Sequence, residues 1–213
     1  MPPRILRVDP HEPDEGAVRA AVAALASGRL VVLPTETVYG LCADPRNEAA
    51  MAALCAAKGR PEEKKCARLV AGLEPLLRAG AVLCPAARAL AERFWPGPLT
   101  LVLDTPGGAE GFRRPDHDAA LAVLRAFGRP IAATSANRSG GAPALTAPDA
   151  VAALGDAVEV VLDGGPVPGG VASTVVRIHA GQVGILRAGA IPEAQIRAAC
   201  RAPPAGPEPD RCS

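Results

Sequence analysis

The stretch VVLPTETVYGL at positions 31–41 decides the fold class. Read with the two residues before it, its first half is RLVVLP at 29–34, a β-branched and leucine-rich run suited to a buried strand. Its second half, TETVYG, breaks that run with hydroxyls, a carboxylate and a phenol, so a buried strand leads straight into a polar turn. On the N-terminal side, Val18, Ala21, Val22 and Leu25 follow Asp14 at helical spacing, and Gly28 can close the last turn. On the C-terminal side a helix starts near Asn47, continues through Met51, Leu54 and Cys55, and stops at Gly59 and Pro61. Helix, strand, polar turn and helix in that order define an α/β chain.

The alternation continues outward. MPPRILRVDP at the N-terminus reads as a short strand, Pro85–Phe94 as a helix, TLVLD at 100–104 as a strand and GFRR at 111–114 as a short strand ending at Pro115. Asp116 is positioned to cap a helix whose Ala120, Val123, Leu124 and Phe127 share one face. Then come PIAATS at 130–135, a helix after Thr146, VEVVLD at 158–163, consecutive strands in STVVRI at 173–178 and VGILR at 183–187, and a terminal helix near 192–201. Spacing does not give strand order or direction, and a mixed sheet is expected rather than a Rossmann sheet. One domain over residues 1–201 is expected, with APPAGPEPDRCS at 202–213 as a frayed tail that leaves function intact.

A chain of 213 residues that is 49% apolar can bury a core without metal or disulfide, but with only 2% aromatic residues that core must be built from Ala, Val and Leu. A formal charge of +1 gives no global attraction to nucleic acid, so anion binding must be local. The six cysteines, Cys42, Cys55, Cys66, Cys84, Cys200 and Cys212, contain no CxxC pair, which argues against a zinc ribbon and for separate thiols in a reducing compartment. No apolar run reaches the ~18 residues of a membrane span, and the first residues carry no secretory pattern; a cytoplasmic, soluble protein is expected.

Chemistry concentrates where strands end. Thr35, Glu36, Thr37 and Tyr39 offer hydroxyls, a carboxylate and an amphipathic ring that suit a small amino acid, or they close a turn by satisfying local backbone groups. Lys58 and Arg60 flank Gly59 at a helix end, where they can meet phosphate oxygens or simply complement the helix dipole. Arg113 and Arg114 form a second basic pair, and His117 reads as part of a helix turn with no catalytic role. Ser135, Asn137, Arg138, Ser139 and Gly140 supply hydroxyls, an amide and a close-approach glycine after an apolar strand. Ser173 and Thr174 start a strand and Arg187 ends one. No GxxxxGK[ST] motif is present, so a P-loop is unsupported.

Taken together, VVLPTETVYGL at 31–41, AAKGRP at 56–61, RFWPGPLTLVL at 93–103, FRRPDH at 112–117, ATSANRSG at 133–140, VVLDGG at 160–165, ASTVVR at 172–177 and ILRAGAI at 185–191 resemble the YrdC/Sua5 family of L-threonylcarbamoyladenylate synthases, in its single-domain form. The resemblance covers most of 29–191. It implies a YrdC-like twisted, mostly mixed sheet with flanking helices and a concave basic active-site surface. It also implies an enzyme that makes threonylcarbamoyl-AMP and pyrophosphate from L-threonine, bicarbonate or CO2, and ATP, for modification of tRNA adenosine 37 by separate transfer machinery.

Carried onto matching positions, the resemblance makes Thr35, Arg113 and Ser173 threonine-side residues, with Arg113 pairing the amino-acid carboxylate, and Tyr39 a wall of the cavity. Lys58, Arg60, Ser135, Asn137, Ser139 and Arg187 become nucleotide-side residues, Lys58 and Arg60 lying nearest the departing pyrophosphate. Mg²⁺ is expected on the ATP phosphates, without a protein metal cage. The chain departs from the family at Lys65-Cys66, where Pro-Leu is common, at Leu69, where many relatives have His, at Arg114, usually apolar, and in the short interval between Leu103 and Gly111. A nonenzymatic YrdC-like module that binds nucleotide or double-stranded RNA is the alternative, and a carbamoyl-transferring module is a third.

Overall fold

The computed structural model describes residues 2–61 and 65–201. Strands β1 (Arg4–Arg7) and β2 (Val31–Leu33) flank helix α1 (Glu15–Ala26), whose first turn is capped by Asp14 accepting from the Ala17 amide at 2.8 Å. After the polar turn come β3 (Gly40–Ala43) and α2 (Glu48–Lys58); Asn47 caps α2 by accepting from the Ala50 amide, and Gly59 ends it at φ 60°, a left-handed value that a side chain would disfavour. There follow β4 (Ala67–Leu69), α3 (Leu73–Arg78), α4 (Pro85–Phe94), β5 (Leu99–Thr105), β6 (Gly108–Arg113), α5 (Asp118–Phe127) and β7 (Ile131–Ser135). Helix α6 (Ala147–Leu154) opens on a capping box between Thr146 and Asp149. A 3₁₀ turn (Gly155–Ala157), β8 (Val160–Asp163), the hairpin β9 (Thr174–His179) and β10 (Gln182–Arg187), and α7 (Glu193–Arg201) complete the described chain.

One sheet of ten strands runs β1-β8-β2-β3-β7-β4-β6-β5-β9-β10. It is mixed: β8 pairs parallel with β1 and β2, β4 with β6 and β5 with β9, while the other neighbours are antiparallel. The expectation of a mixed sheet therefore holds. The helix after Arg114 differs in detail: His117, not Asp116, occupies the cap position, without a side-chain cap hydrogen bond, and the Asp116 amide donates to Glu36 Oε2 at 3.1 Å. The GFRR strand starts three residues earlier than expected and stops at Arg113. The expected tail at 202–213 lies outside the described residues.

Side chains alternate across the sheet, and the alternation sorts the core into layers. One face carries Val31, Leu33, Cys42, Leu69, Ile131, Val160 and Leu162 against α1 and α5. The opposite face carries Val32, Leu41, Ala43 and Val161 under α2 and α6. It continues with Leu99, Leu101, Leu103, Phe112, Val176 and Ile178 under α4 and α7. The first layer is incomplete. Helices α1 and α5 pack on each other over the β8–β2–β3 end, and the same face of β6, β5 and β9 carries Gly111, Arg113, Thr100, Val102, Ser173 and Val175, which line a cavity.

Candidate active site

The cavity encloses about 550 Å³, a volume that suits a small-molecule site. Its floor is cut low by Gly40, Ala67, Ala109, Gly111 and Ala133, and its walls come from the strand-end turns singled out in the sequence. Among the described lining residues five are cationic, Lys58, Arg60, Lys65, Arg113 and Arg187, and none is acidic.

The structure brings nine of the ten candidate residues to this cavity: Thr35, Lys58, Arg60, Arg113, Ser135, Asn137, Ser139, Ser173 and Arg187. Tyr39 is the exception, and its expected place in the cavity wall is corrected. Val38 and Gly40 face the cavity, so the pleat sends Tyr39 to the other side, where its ring is fully buried among Leu41, Ala136 and Val161. Its hydroxyl donates to the Gly165 carbonyl at 2.6 Å and lies 3.5 Å from Asp163 Oδ1; burial raises its pKa to about 12.

Thr35 serves two ends at once. Its hydroxyl donates to the Val38 carbonyl at 2.6 Å and accepts from the Thr37 and Val38 amides, which closes the turn while presenting the residue to the cavity. Thr37 then accepts from Arg113 Nη2 at 2.8 Å. The same Nη2 is ion-paired with Glu36 Oε1 at 2.8 Å, and Arg113 Nε donates to the Gly97 carbonyl at 3.4 Å. Arg113 is only 8% exposed, so Glu36 supplies the countercharge that a buried guanidinium needs.

Lys58 is 4% exposed and reaches from the end of α2 to the turn after β7. Its ammonium meets the Ser135 carbonyl at 2.6 Å, the Asn137 carbonyl at 2.8 Å, and Ser135 Oγ and Asn137 Oδ1, both at 3.2 Å. Its own carbonyl accepts from the Ser139 amide at 2.8 Å. Burial, reinforced by the like charge of Arg60, lowers its pKa to about 8. Asn137 is equally committed, its amide group donating to the carbonyls of Arg138 and Gly141. These two residues hold the turn in place.

Arg60 Nη2 donates to the Lys65 carbonyl at 2.8 Å and Nη1 reaches Thr134 Oγ1 at 3.4 Å. Across the cavity, Arg187 donates to the Ser173 carbonyl at 2.7 Å and to Ser173 Oγ at 3.1 Å, and that hydroxyl shares a 2.8 Å hydrogen bond with Thr100. Burial and the neighbouring positive charge of Arg113 push Arg187 below the usual arginine range.

Several functional contributions escaped the sequence. The pairing of Glu36 with Arg113 joins residues 77 positions apart and depends on strand order. Thr100 and Lys65 were legible only as a strand position and a departure; both line the cavity. Arg114 is outside the lining, its carbonyl accepting from the Gly97 amide. Leu69 does line the cavity. Among the described residues, Cys42, Cys55, Cys66, Cys84 and Cys200 are free thiols and no cluster of three or more His, Cys, Asp or Glu could hold a metal ion.

Fold and site together define an α/β protein with a small-molecule-sized cavity, lined by cationic and hydroxyl side chains, on the uncovered half of a mixed sheet. The family model for Sua5, YciO and YrdC proteins, described as telomere recombination, matches residues 23–189, and the chain belongs to that family. A Mycobacterium leprae protein, provisionally named a threonylcarbamoyl-AMP synthase, is 40% identical over 88% of this chain and 90% of its own. The threonylcarbamoyl-AMP synthase of Chromohalobacter salexigens is 41% identical over 68% of this chain and 83% of its own. The crystal structure of Pyrococcus abyssi Sua5 complexed with L-threonine superposes with a TM-score of 0.87 at 35% identity; it covers 92% of this chain, which spans 60% of that longer protein.

Proposed function

We propose that the protein is an L-threonylcarbamoyl-AMP synthase, forming threonylcarbamoyl-AMP and pyrophosphate from L-threonine, bicarbonate or CO2, and ATP, for tRNA N6-threonylcarbamoyladenosine-37 synthesis. The observation that carries this reading is the convergence of Arg113, Ser173 and Arg187 with Arg60 and the Lys58-anchored turn on one cavity, in a chain of this family. Relatives bearing the name support it, as does the L-threonine bound by the P. abyssi protein.

In this reading the threonine amine adds to CO2 with loss of a proton, or condenses with bicarbonate with loss of water, to become a carbamate. A carbamate oxygen attacks the ATP α-phosphorus as the bond to the β-phosphate oxygen breaks, and pyrophosphate leaves. Nη2 and Nε of Arg113 are engaged by Glu36, Thr37 and Gly97, so its Nη1 edge meets the threonine carboxylate, beside Thr35 and Ser173. Arg60 and Arg187 lie against the nucleotide phosphates and stabilise charge developing on the leaving oxygens. Lys58 adds its charge through the Ser135–Ser139 turn, whose hydroxyls face phosphate or ribose. Holding both reactants together supplies proximity, and no covalent nucleophile is needed. The cavity lining offers Mg²⁺ hydroxyls but no carboxylate, which fits a cation carried on the ATP phosphates.

The proposed role in tRNA modification places the enzyme in the cytoplasm; no described helix is long and apolar enough to cross a membrane. Separate machinery would transfer the product to tRNA. Mass spectrometry of reactions containing ATP, bicarbonate and threonine, with each omitted in turn, tests the proposal. Threonylcarbamoyl-AMP should form only in the complete mixture. ADP and phosphate as sole products, or nucleotide binding without turnover, would defeat it, the latter in favour of a binding module.

A further inference from the structure

Lys65 stands where the family commonly has proline, and the structure gives that departure a place. It lines the cavity mouth, solvent-exposed, with its backbone tied to a nucleotide-side candidate through the 2.8 Å bond from Arg60 Nη2 to its carbonyl. Its ammonium reaches 44 positions along the chain to the Ala109 carbonyl on β6, at 3.1 Å. Beside that acceptor Gly108 takes a φ of 95°, a conformation that favours glycine, and Lys65 Nζ passes within ordinary contact distance of where a Cβ would stand, 3.6 Å.

The cations of the cavity are not equivalent. Lys58 faces four oxygen acceptors with three protons, and Arg113 is neutralised by Glu36. Among the described residues Lys65 has three N–H donors and a single neutral acceptor, at the mouth where a charged group stays hydrated and can turn. A phosphate oxygen offers such an ammonium a charge-assisted bond in place of a neutral one.

We propose that Lys65 is an additional binding residue of this chain for the β- and γ-phosphates of the nucleotide and for the pyrophosphate they become, exchanging the Ala109 carbonyl for phosphate oxygen beside Arg60. The inference rests on the nucleotide reading of this cavity, and it concerns a side chain that the family pattern does not supply. An AMP moiety, lacking those phosphates, does not reach it.

Calorimetric titration of the full chain with ATP, inorganic pyrophosphate and AMP, without threonine or bicarbonate, tests this separately from catalysis. Lys65→Ala should weaken ATP and pyrophosphate at least about fivefold and leave AMP unchanged. Lys65→Arg should restore most of the loss, and the difference between wild type and Lys65→Ala should shrink as salt rises. Unchanged ATP affinity in a folded Lys65→Ala protein, or an equal loss for AMP, would overturn the proposal. A wild-type chain that binds ATP through Lys65 but forms no threonylcarbamoyl-AMP would sink the catalytic reading and leave this one standing.

Discussion

Lys58 and Arg113 are both buried cations, yet they fail differently when removed. Lys58→Ala deletes the group that ties α2 to the Ser135–Asn137 turn and takes a donor from four oxygen acceptors, of which the Ser135 carbonyl keeps the Asn137 amide. It should lower stability by about 1–3 kcal/mol as well as impair ATP use. Arg113→Ala strands Glu36 without its countercharge and so also costs stability, but its distinguishing effect should be a KM for threonine raised roughly ten- to hundredfold with a smaller effect on ATP. Substrate-titration kinetics beside thermal unfolding separate the two; equal, near-wild-type kinetics in both folded variants would remove them from the site. Lys58 also carries a pH signature. Its folded pKa of about 8 lies below the ordinary 10.5, so between those values the folded chain has released a proton that the unfolded chain still holds. Stability from this group therefore rises with pH across that window and is flat below it. The stability difference between wild type and Lys58→Met, followed by urea unfolding from pH 7 to 10, should grow in favour of wild type; a constant difference would contradict the burial assigned to this amine. The polar residues were visible in the sequence because they sit on strand-end turns. Their partners were not, since Glu36 finds Arg113, and Lys58 finds Ser135, only through a sheet order that spacing does not encode.

At the scale of elements, the cavity is a consequence of small residues at consecutive inward positions. Gly111 sits in β6 between Thr100 and Val102, where a Cβ would make contacts of 3.4 and 3.7 Å with their Cγ2 atoms. Alanine is tolerable there, but the longer side chain of Gly111→Leu has nowhere to extend except into the cavity. That variant should lose at least about tenfold in kcat/KM while keeping a near-wild-type melting temperature, because the opposite face, with Leu101 and Phe112, is untouched. A large loss of melting temperature with normal kinetics would mean that Gly111 is packed in the core instead. The same pleat explains what the sequence could and could not disclose. Helices α1, α2, α4, α5 and α6 were legible from period, caps and stopping glycines, and β2, β5, β7, β8, β9 and β10 from their apolar runs. Strands β3 and β4 have four and three residues and α3 has six, too short to display any period. Tyr39 was misplaced because a one-residue step along an extended segment reverses which face a side chain joins.

For the whole molecule, the helices cover one face of the sheet along its length and only half of the other, and the uncovered half collects like charges. Arg187 loses basicity partly because Arg113 is near, which is a cost borne by the empty protein. An anion that bridges the cationic walls relieves that repulsion only in the folded state, since the unfolded chain cannot assemble residues as distant as Arg60, Arg113 and Arg187. Binding should therefore appear as stabilisation: ATP at a hundred times its Kd should add about 2.7 kcal/mol to unfolding. Adenosine, which presents no charge to those walls, should add far less at the same concentration, and salt should erode the ATP effect more than the adenosine effect. The proposed division of the chain makes a parallel claim, that a protein ending at residue 201 shows the same ATP-dependent shift as the full chain. Thermal unfolding with each ligand, on both lengths, measures these together. Equal shifts from ATP and adenosine would locate the binding energy in the base and sugar rather than in the cationic cavity, and an ATP shift lost on removing residues 202–213 would extend the site beyond the proposed domain.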